Sequence, residues 1–389
     1  MTAILTNITT LISTVMTTEM TSTNTLTAGD YEKIFFRIKL WKICHGYIMF
    51  ILIILGVAAN ILAFIILSQK SVRRTTIAVY LRALSLADTF VLITAFFRYN
   101  TYKLFLTEAQ DTYSVLHFSA YLDAYIKPFH WISLGVSSFV TLTLSIERFL
   151  AIRYPLTIKR SCTPFLVRVC IVGIIVIVVI LTSPIFFSFR VKEFSYTNTS
   201  SVYVQVMTRL GRDTLYPCTY HIYVIPLLWY ILPWILLAIL NLLLYLQVRR
   251  SSRIRVGLPN IPNPNRNLSI LILLIVIIYM VCNLPISIMV FYKLVNHMSE
   301  NGQCIQETTS LTSTTSKEFD IINAITEILN ILNSCLNIVV YCMVGTKFRR
   351  QLRDFLLCTT CKPVNKVSPQ KVFTTGRESN TVVESAGSS

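Results

Sequence analysis

The chain has 389 residues, is 54% hydrophobic and only 14% charged, and carries 35 Lys and Arg against 18 Asp and Glu, for a formal net charge of +17. An ordinary soluble domain has about 25% charged residues. This composition, with a mean hydropathy of +0.62, excludes a disordered chain and argues against a water-soluble globule. The basic residues alternate with long apolar runs, so they read as basic loops between membrane spans rather than as a nucleic-acid surface.

A helix that crosses a bilayer needs about 20 mostly apolar residues. Residues 1–43 precede any such run. They are Thr-rich at the start, lack the basic start and apolar core of a signal peptide, and are expected to form an extracellular N-terminal tail. Seven segments then qualify as spans, at 44–67, 76–98, 118–151, 165–187, 221–248, 267–293 and 319–344. The fourth is the plainest, with the unbroken run Ile171 to Leu181. The seventh is the most polar, holding Asn323, Glu327, Asn330, Asn333 and Asn337, which suits a helix facing a bundle interior. The runs are continuous and far longer than barrel strands of about 10 residues, and lipid favours segments that satisfy their own backbone. The expected fold is all-α: a seven-transmembrane helix bundle over 44–344, a short amphipathic eighth helix over 345–357, and a disordered cytoplasmic tail over 358–389.

Charge sets the orientation. The segments after the first, third and fifth spans carry Lys70, Arg73 and Arg74; Arg153, Lys159, Arg160 and Arg168; and Arg249, Arg250, Arg253, Arg255 and Arg266, with no acidic residue among them. The opposite loops mix signs. The positive-inside rule places the first set in the cytosol and the N-terminus outside. Sequons at Asn7 and Asn198 then fall on the outer side, where glycosylation can occur, whereas Asn267 lies at the cytosolic mouth.

Polar residues inside apolar runs carry the functional signal. In order they are Asn60 in Gly-Val-Ala-Ala-Asn, Asp88 in Leu-Ser-Leu-Ala-Asp, Glu147-Arg148-Phe149, Cys282-Asn283-Leu284-Pro285, and Asn337-Ile338-Val339-Val340-Tyr341 followed by the amphipathic Thr346-Lys347-Phe348-Arg349-Arg350. This order and spacing resembles the rhodopsin-like (class A) G-protein-coupled receptors over about 44–357. With Arg249-Arg250-Ser251-Ser252-Arg253 it looks most like the invertebrate FMRFamide-type neuropeptide receptors. The departures are Phe149 for the family's Tyr, Ile338 for the Pro of Asn-Pro-x-x-Tyr, Asn283 for the Trp of Cys-Trp-x-Pro, a fourth span without its Trp, and Asp123 where the third span has a Cys.

The resemblance implies a plasma-membrane receptor, not an enzyme, that is activated by an extracellular peptide and engages a heterotrimeric G protein when the sixth helix swings outward. Coupling and activation would rest on Glu147, Arg148, Phe149, Asn283, Pro285, Asn337 and Tyr341. The plainer reading of Glu147 and Arg148 is a helix-end ion pair. Asp88, with Ser137, Asn333, Ser334 and Asn337 around it by family alignment, offers oxygens for an allosteric sodium ion; the alternative is a hydrated network around a protonated Asp88. The position 18 before Arg148 is His130, where monoamine receptors have Asp, and Ile331 stands where opsins carry the retinal Lys. The remaining polar pocket is Arg98, Lys127, His130, Trp131, Tyr279, Asn283 and Glu327. Glu327 receives a ligand cation, or else pairs internally with Arg98 or Lys127.

The family's usual disulfide cannot form, because no Cys lies between 45 and 161. Cys218–Cys304 is the substitute, with Cys44–Cys304 next and free thiols the remaining reading. Cys358 and Cys361 follow the amphipathic helix and suit palmitoylation. Thr374, Thr375, Ser379, Thr381 and Ser385 suit phosphorylation and arrestin recruitment, or belong to an ordinary tail. The competing classes are a seven-helix transporter or channel, disfavoured by the absence of internal repeats; an intramembrane hydrolase, for which no Gly-x-Ser-x-Gly or His-Glu-x-x-His is present; and an orphan pseudo-receptor, raised by Ile338 and Asn283.

Overall fold

The computed structural model describes residues 28–69, 75–100, 112–197, 200–212, 220, 223–254, 264–299 and 317–357. Seven of its helices are long and apolar enough to cross a membrane. The first, α1, runs through Ala28–Trp41, a π-helical stretch Lys42–Ile48 and Met49–Leu67. Then come α2 (Thr76–Ala95, ending in the π turn Phe96–Asn100), α3 (Thr112–Arg153), α4 (Pro164–Ser188), α5 (Leu227–Ile231 and Leu232–Ile254), α6 (Pro264–Ser299) and α7 (Lys317–Val344). The short α8 spans Thr346–Leu356.

Local chemistry sets several ends. Thr75 caps α2 by accepting from the Ala78 N–H at 3.2 Å. Thr163 caps α4 in the same way, with Pro164 at the first helical position, where a missing N–H costs nothing. α8 buries Phe348 against Tyr341 of α7, ring centroids 5.5 Å apart, and leaves Arg349, Arg350 and Arg353 exposed. That division makes it amphipathic, as its sequence predicts.

Two features depart from the sequence reading. Residues 28–43 are expected as an extracellular tail, but they continue α1 as helix and pack against α7. The connection after α4 forms an antiparallel hairpin, β1 (Phe189–Thr197) with β2 (Ser200–Met207), in register from Phe189 opposite Met207 to Ser195 opposite Ser201. The hairpin lies against α3.

α3 is the central rod, packed against α2, α4, α5 and α6, while α7 packs against α1, α2 and α6. Leu84, Val140, Leu144, Leu237 and Ile272 fill the interior. Gly135 lets α3 and α5 approach, since a Cβ there would sit 2.6 Å from Trp229 Nε1. The outward faces are apolar: Ile51, Ile54 and Leu55 on α1, and Val172, Val176, Ile180 and Phe187 on α4, are all exposed. A water-soluble protein rarely leaves such stripes uncovered, and lipid is the solvent that suits them.

Candidate functional site

The polar groups within the bundle gather at three levels. At the pole where α3 ends, Arg148 Nη2 donates to Glu147 Oε1 at 2.6 Å, and Thr76 Oγ1 of α2 donates to the same oxygen at 2.7 Å. Glu147 thus ties the end of α3 to the start of α2. Among the described residues, the buried Arg148 Nε has no hydrogen-bond partner. A guanidinium has five N–H donors, and this one is left partly satisfied in a low-dielectric setting, a costly arrangement. Phe149 is half-buried beside it. The Cys162 thiol, in the segment between α3 and α4, is pushed up to about 11 by burial and by the nearby Glu147 carboxylate, so it stays protonated.

In the middle, Asp88 is fully buried on α2. Its Oδ1 accepts from Ser137 of α3 at 2.8 Å and from Ser334 of α7 at 3.2 Å, and its Oδ2 accepts from Asn337 Nδ2 at 2.6 Å. Asn333 does not join them. It is half-buried, one turn before Asn337, and makes no hydrogen bond to Asp88 among the described residues. Asn60 of α1 takes a place that the sequence reading did not assign. Its Nδ2 donates to the Ser334 carbonyl at 2.8 Å and to the Gly56 carbonyl at 2.9 Å. The donor set of one carboxylate and two hydroxyls fits a single hard monovalent cation, which Asp88, Ser137 and Ser334 would hold; its chemistry would be charge neutralisation.

On α6, Tyr279 donates to Ser138 Oγ at 3.0 Å. Ser138 adjoins Ser137, so Tyr279 lies near the depth of Asp88. Asn283 is buried and bonds its own helix, Nδ2 to the Tyr279 carbonyl at 2.9 Å, while its own carbonyl accepts from Ser287 Oγ at 2.8 Å. These bonds bracket Pro285, which lacks an N–H for the carbonyl of Val281.

At the hairpin pole, where the sequence reading leaves Glu327 either to a ligand cation or to Arg98 or Lys127, its Oε2 bonds His45 Nε2 of α1. Arg98 lies over the Tyr99 ring, 5.0 Å from its centroid, and Lys127 over Phe189 of β1 at 4.3 Å. His130 is buried and pairs Nδ1 with Thr94 Oγ1 at 3.0 Å. Tyr99 stacks on His45 with centroids 5.6 Å apart and meets His130 edge-on at 5.9 Å, so the imidazoles of α1 and α3 bracket one ring of α2. The Trp131 carbonyl accepts from Trp229 Nε1 at 2.9 Å, and the Trp131 ring meets Tyr230 edge-on. Above this level, Arg37 Nε pairs with Asp320 Oδ2 at 2.9 Å, with side chains only 3% and 11% exposed. Lys317 meets Glu32 at 2.6 Å, and that contact holds the Glu32 carboxyl below its ordinary range.

Cys44 is a free thiol. Cys218, Cys304, Cys358, Cys361, Asn7, Asn198 and the tail Ser and Thr lie outside the described residues.

Comparison with known proteins agrees with this architecture. Residues 59–341 match the family model described as 7 transmembrane receptor (rhodopsin family). A Drosophila melanogaster protein named FMRFamide receptor is 25% identical over 319 residues, 81% of this chain and 53% of that protein. A Caenorhabditis elegans protein named FMRFamide peptide receptor frpr-18 is 24% identical over 324 residues, 81% of this chain and 69% of that one. The chain thus spans about half the length of the fly relative. The family match covers well over half of the chain and both ends of the polar core, from Asn60 to Tyr341, and the chain therefore belongs to the rhodopsin family of seven-transmembrane receptors.

Proposed function

We propose that this receptor sits in the plasma membrane with its N-terminus outside, binds an extracellular peptide at the hairpin pole, and activates a heterotrimeric G protein at the Arg148 pole. The observation that carries this reading is Arg148 itself. Its pairing with Glu147 is reinforced from α2 by Thr76, yet its Nε has no acceptor among the described residues. Such a pair is held but not fully satisfied, so a partner that brings acceptors to this pole can compete for the guanidinium. Outward movement of α6 opens that access, with Pro285 as the weak point of its hydrogen-bond ladder.

The peptide reading draws support from the names of the fly and worm relatives and from the charged, aromatic character of the hairpin pole. The Glu327 side chain is 22% exposed while it holds the buried His45. A carboxylate so placed can bridge His45 to a ligand cation, such as the Arg of an Arg-Phe-amide peptide. A sodium ion at Asp88 would favour the resting arrangement, and linkage then requires agonist and sodium to weaken each other.

The test is guanine nucleotide exchange in membranes that contain the full chain, challenged with an FMRFamide-like peptide library. One or more peptides should stimulate exchange, and Arg148→Gln should abolish the response while leaving surface expression intact. Solute or ion flux without exchange, for any peptide, would refute the receptor reading in favour of a transporter.

A further inference from the structure

A groove of about 890 Å3 opens between α2 and α4, at the same pole as Arg148. Its walls are two stripes at helical spacing. Val79, Arg82 and Leu86 lie at i, i+3 and i+7 on α2, and Pro164, Arg168 and Val172 lie at i, i+4 and i+8 on α4. Leu86 and Val172 are 43% and 59% exposed, so the groove faces sideways, into the acyl region of a bilayer. Each stripe covers about 11 Å along its helix.

The two arginines are out of keeping with the rest of this lining. Arg82 is six residues into α2 and Arg168 four residues into α4, about 9 and 6 Å from the helix starts. A guanidinium on a lipid-facing wall is costly unless it meets an anion or reaches the headgroup layer. The Arg82 Nε–H is anchored on the Ala78 carbonyl at 3.1 Å, so this side chain is directed rather than swinging free. Arg168 is exposed across the groove. Planar guanidinium forks match phosphate oxygens, and the segment between α3 and α4 adds the exposed Arg160 to the same pole.

We propose that this groove binds one anionic glycerophospholipid of the surrounding membrane, with its phosphate between Arg82 and Arg168 and an acyl chain lying along Val79, Leu86 and Val172. A zwitterionic lipid carries its own ammonium and gains less from two arginines. A sterol has no anion to offer them.

The test uses the full chain in detergent micelles, offered phosphatidylserine or phosphatidylcholine, with retained lipid counted by native mass spectrometry. Each arginine contributes about 5-fold to anionic lipid binding, and the two together ~30-fold. Arg168→Gln, at an exposed position, should therefore weaken phosphatidylserine retention about 5-fold, and the Arg82→Gln/Arg168→Gln pair about 30-fold, with phosphatidylcholine nearly unchanged. Ala83→Leu fills the groove while keeping both charges and should also lower phosphatidylserine retention. Equal retention of the two lipids by the wild type, or undiminished phosphatidylserine on Arg168→Gln, overturns the proposal. Retention intact in Ala83→Leu overturns the acyl-chain placement. The readout needs no agonist and no G protein, so its outcome is independent of the signalling reading.

Discussion

The buried Arg37–Asp320 pair offers the sharpest test of how α1 is joined to α7. Asp320→Ala removes the carboxylate that pairs with a guanidinium only 3% exposed. Breaking a buried pair by deleting one partner costs about 3–5 kcal/mol. The pair lies two and three residues inside the hairpin-side ends of its two spans, where water is close, so the lower figure, about 3 kcal/mol, applies. In a domain of this size each kcal/mol moves the thermal midpoint by about 2 °C, which gives a loss of about 6 °C. The double variant Arg37→Met/Asp320→Ala removes both charges together and should recover most of that loss. The assay is thermal unfolding of the purified receptor, followed by a thiol-reactive dye or by tryptophan fluorescence, across the four-member cycle. A midpoint of Asp320→Ala within about 1 °C of wild type, or a double variant as unstable as the sum of the singles, would show that the two side chains are not energetically coupled.

Other variants probe the remaining levels. Thr76→Val deletes the 2.7 Å bond that helps hold Glu147; a hydrogen bond to a charged group is worth about 1.5 kcal/mol or more, so basal nucleotide exchange should rise about 10-fold, and an unchanged basal rate would separate Thr76 from the Arg148 lock. Asp88→Asn should abolish the difference in agonist affinity between sodium and choline buffers, a difference that must first be present in the wild type. Gly135→Ala places a methyl 2.6 Å from the buried Trp229 indole and should cost about 1–3 kcal/mol through overpacking, seen as a lower thermal midpoint. The exposed Glu32–Lys317 contact should add little, and salt should screen it. Because Lys317 lowers the Glu32 carboxyl from 4.5, whatever it adds is present above that pH and lost as the pH falls below it, so Glu32→Gln should flatten the acid limb of a stability-against-pH curve and leave pH 7 unchanged.

The seven spans are legible in the sequence because lipid enforces continuous apolar runs, and six of them need no other signal. The Asp88 cluster is legible for the opposite reason: a carboxylate in such a run must find partners, and Ser137, Ser334 and Asn337 are the ones it finds. The extension of α1 is not legible. Residues 28–43 are mixed in polarity, and what binds that helix to the bundle is a partner 283 residues away, Asp320. His45 is hidden in the same way, since its pairing with Glu327 is equally remote, although an ionisable ring inside an apolar run is itself a signal. The hairpin did leave a trace: Arg190 and Lys192 alternate with Phe189 and Val191, and Val202, Val204 and Val206 alternate with polar residues and a Tyr. That period-two pattern marks strands outside the lipid.

The polarity that makes α7 the hardest span to recognise is also what fixes its position. Asp320, Glu327, Ser334 and Tyr341 recur every seven residues, or two helical turns, and so share a face. Down that face, Asp320 meets Arg37, Glu327 meets His45, Ser334 meets Asp88 and Asn60, and Tyr341 meets Phe348. The first two contacts bind α7 to α1 at the hairpin pole. The third binds it to α2 and α1 at mid-depth, and the last to α8 at the Arg148 pole. Directional polar contacts have a narrow geometry, whereas apolar contacts in lipid tolerate sliding. A ligand that displaces Glu327 from His45 therefore acts on the same rigid helix that supplies Ser334 and Asn337 to Asp88, and a rotation of α7 large enough to release one rung alters the others. Coupling between the two poles needs no chain of relays through the apolar core, because one helix carries a directional contact at each level, polar at the first three and an edge-on ring pair at the last.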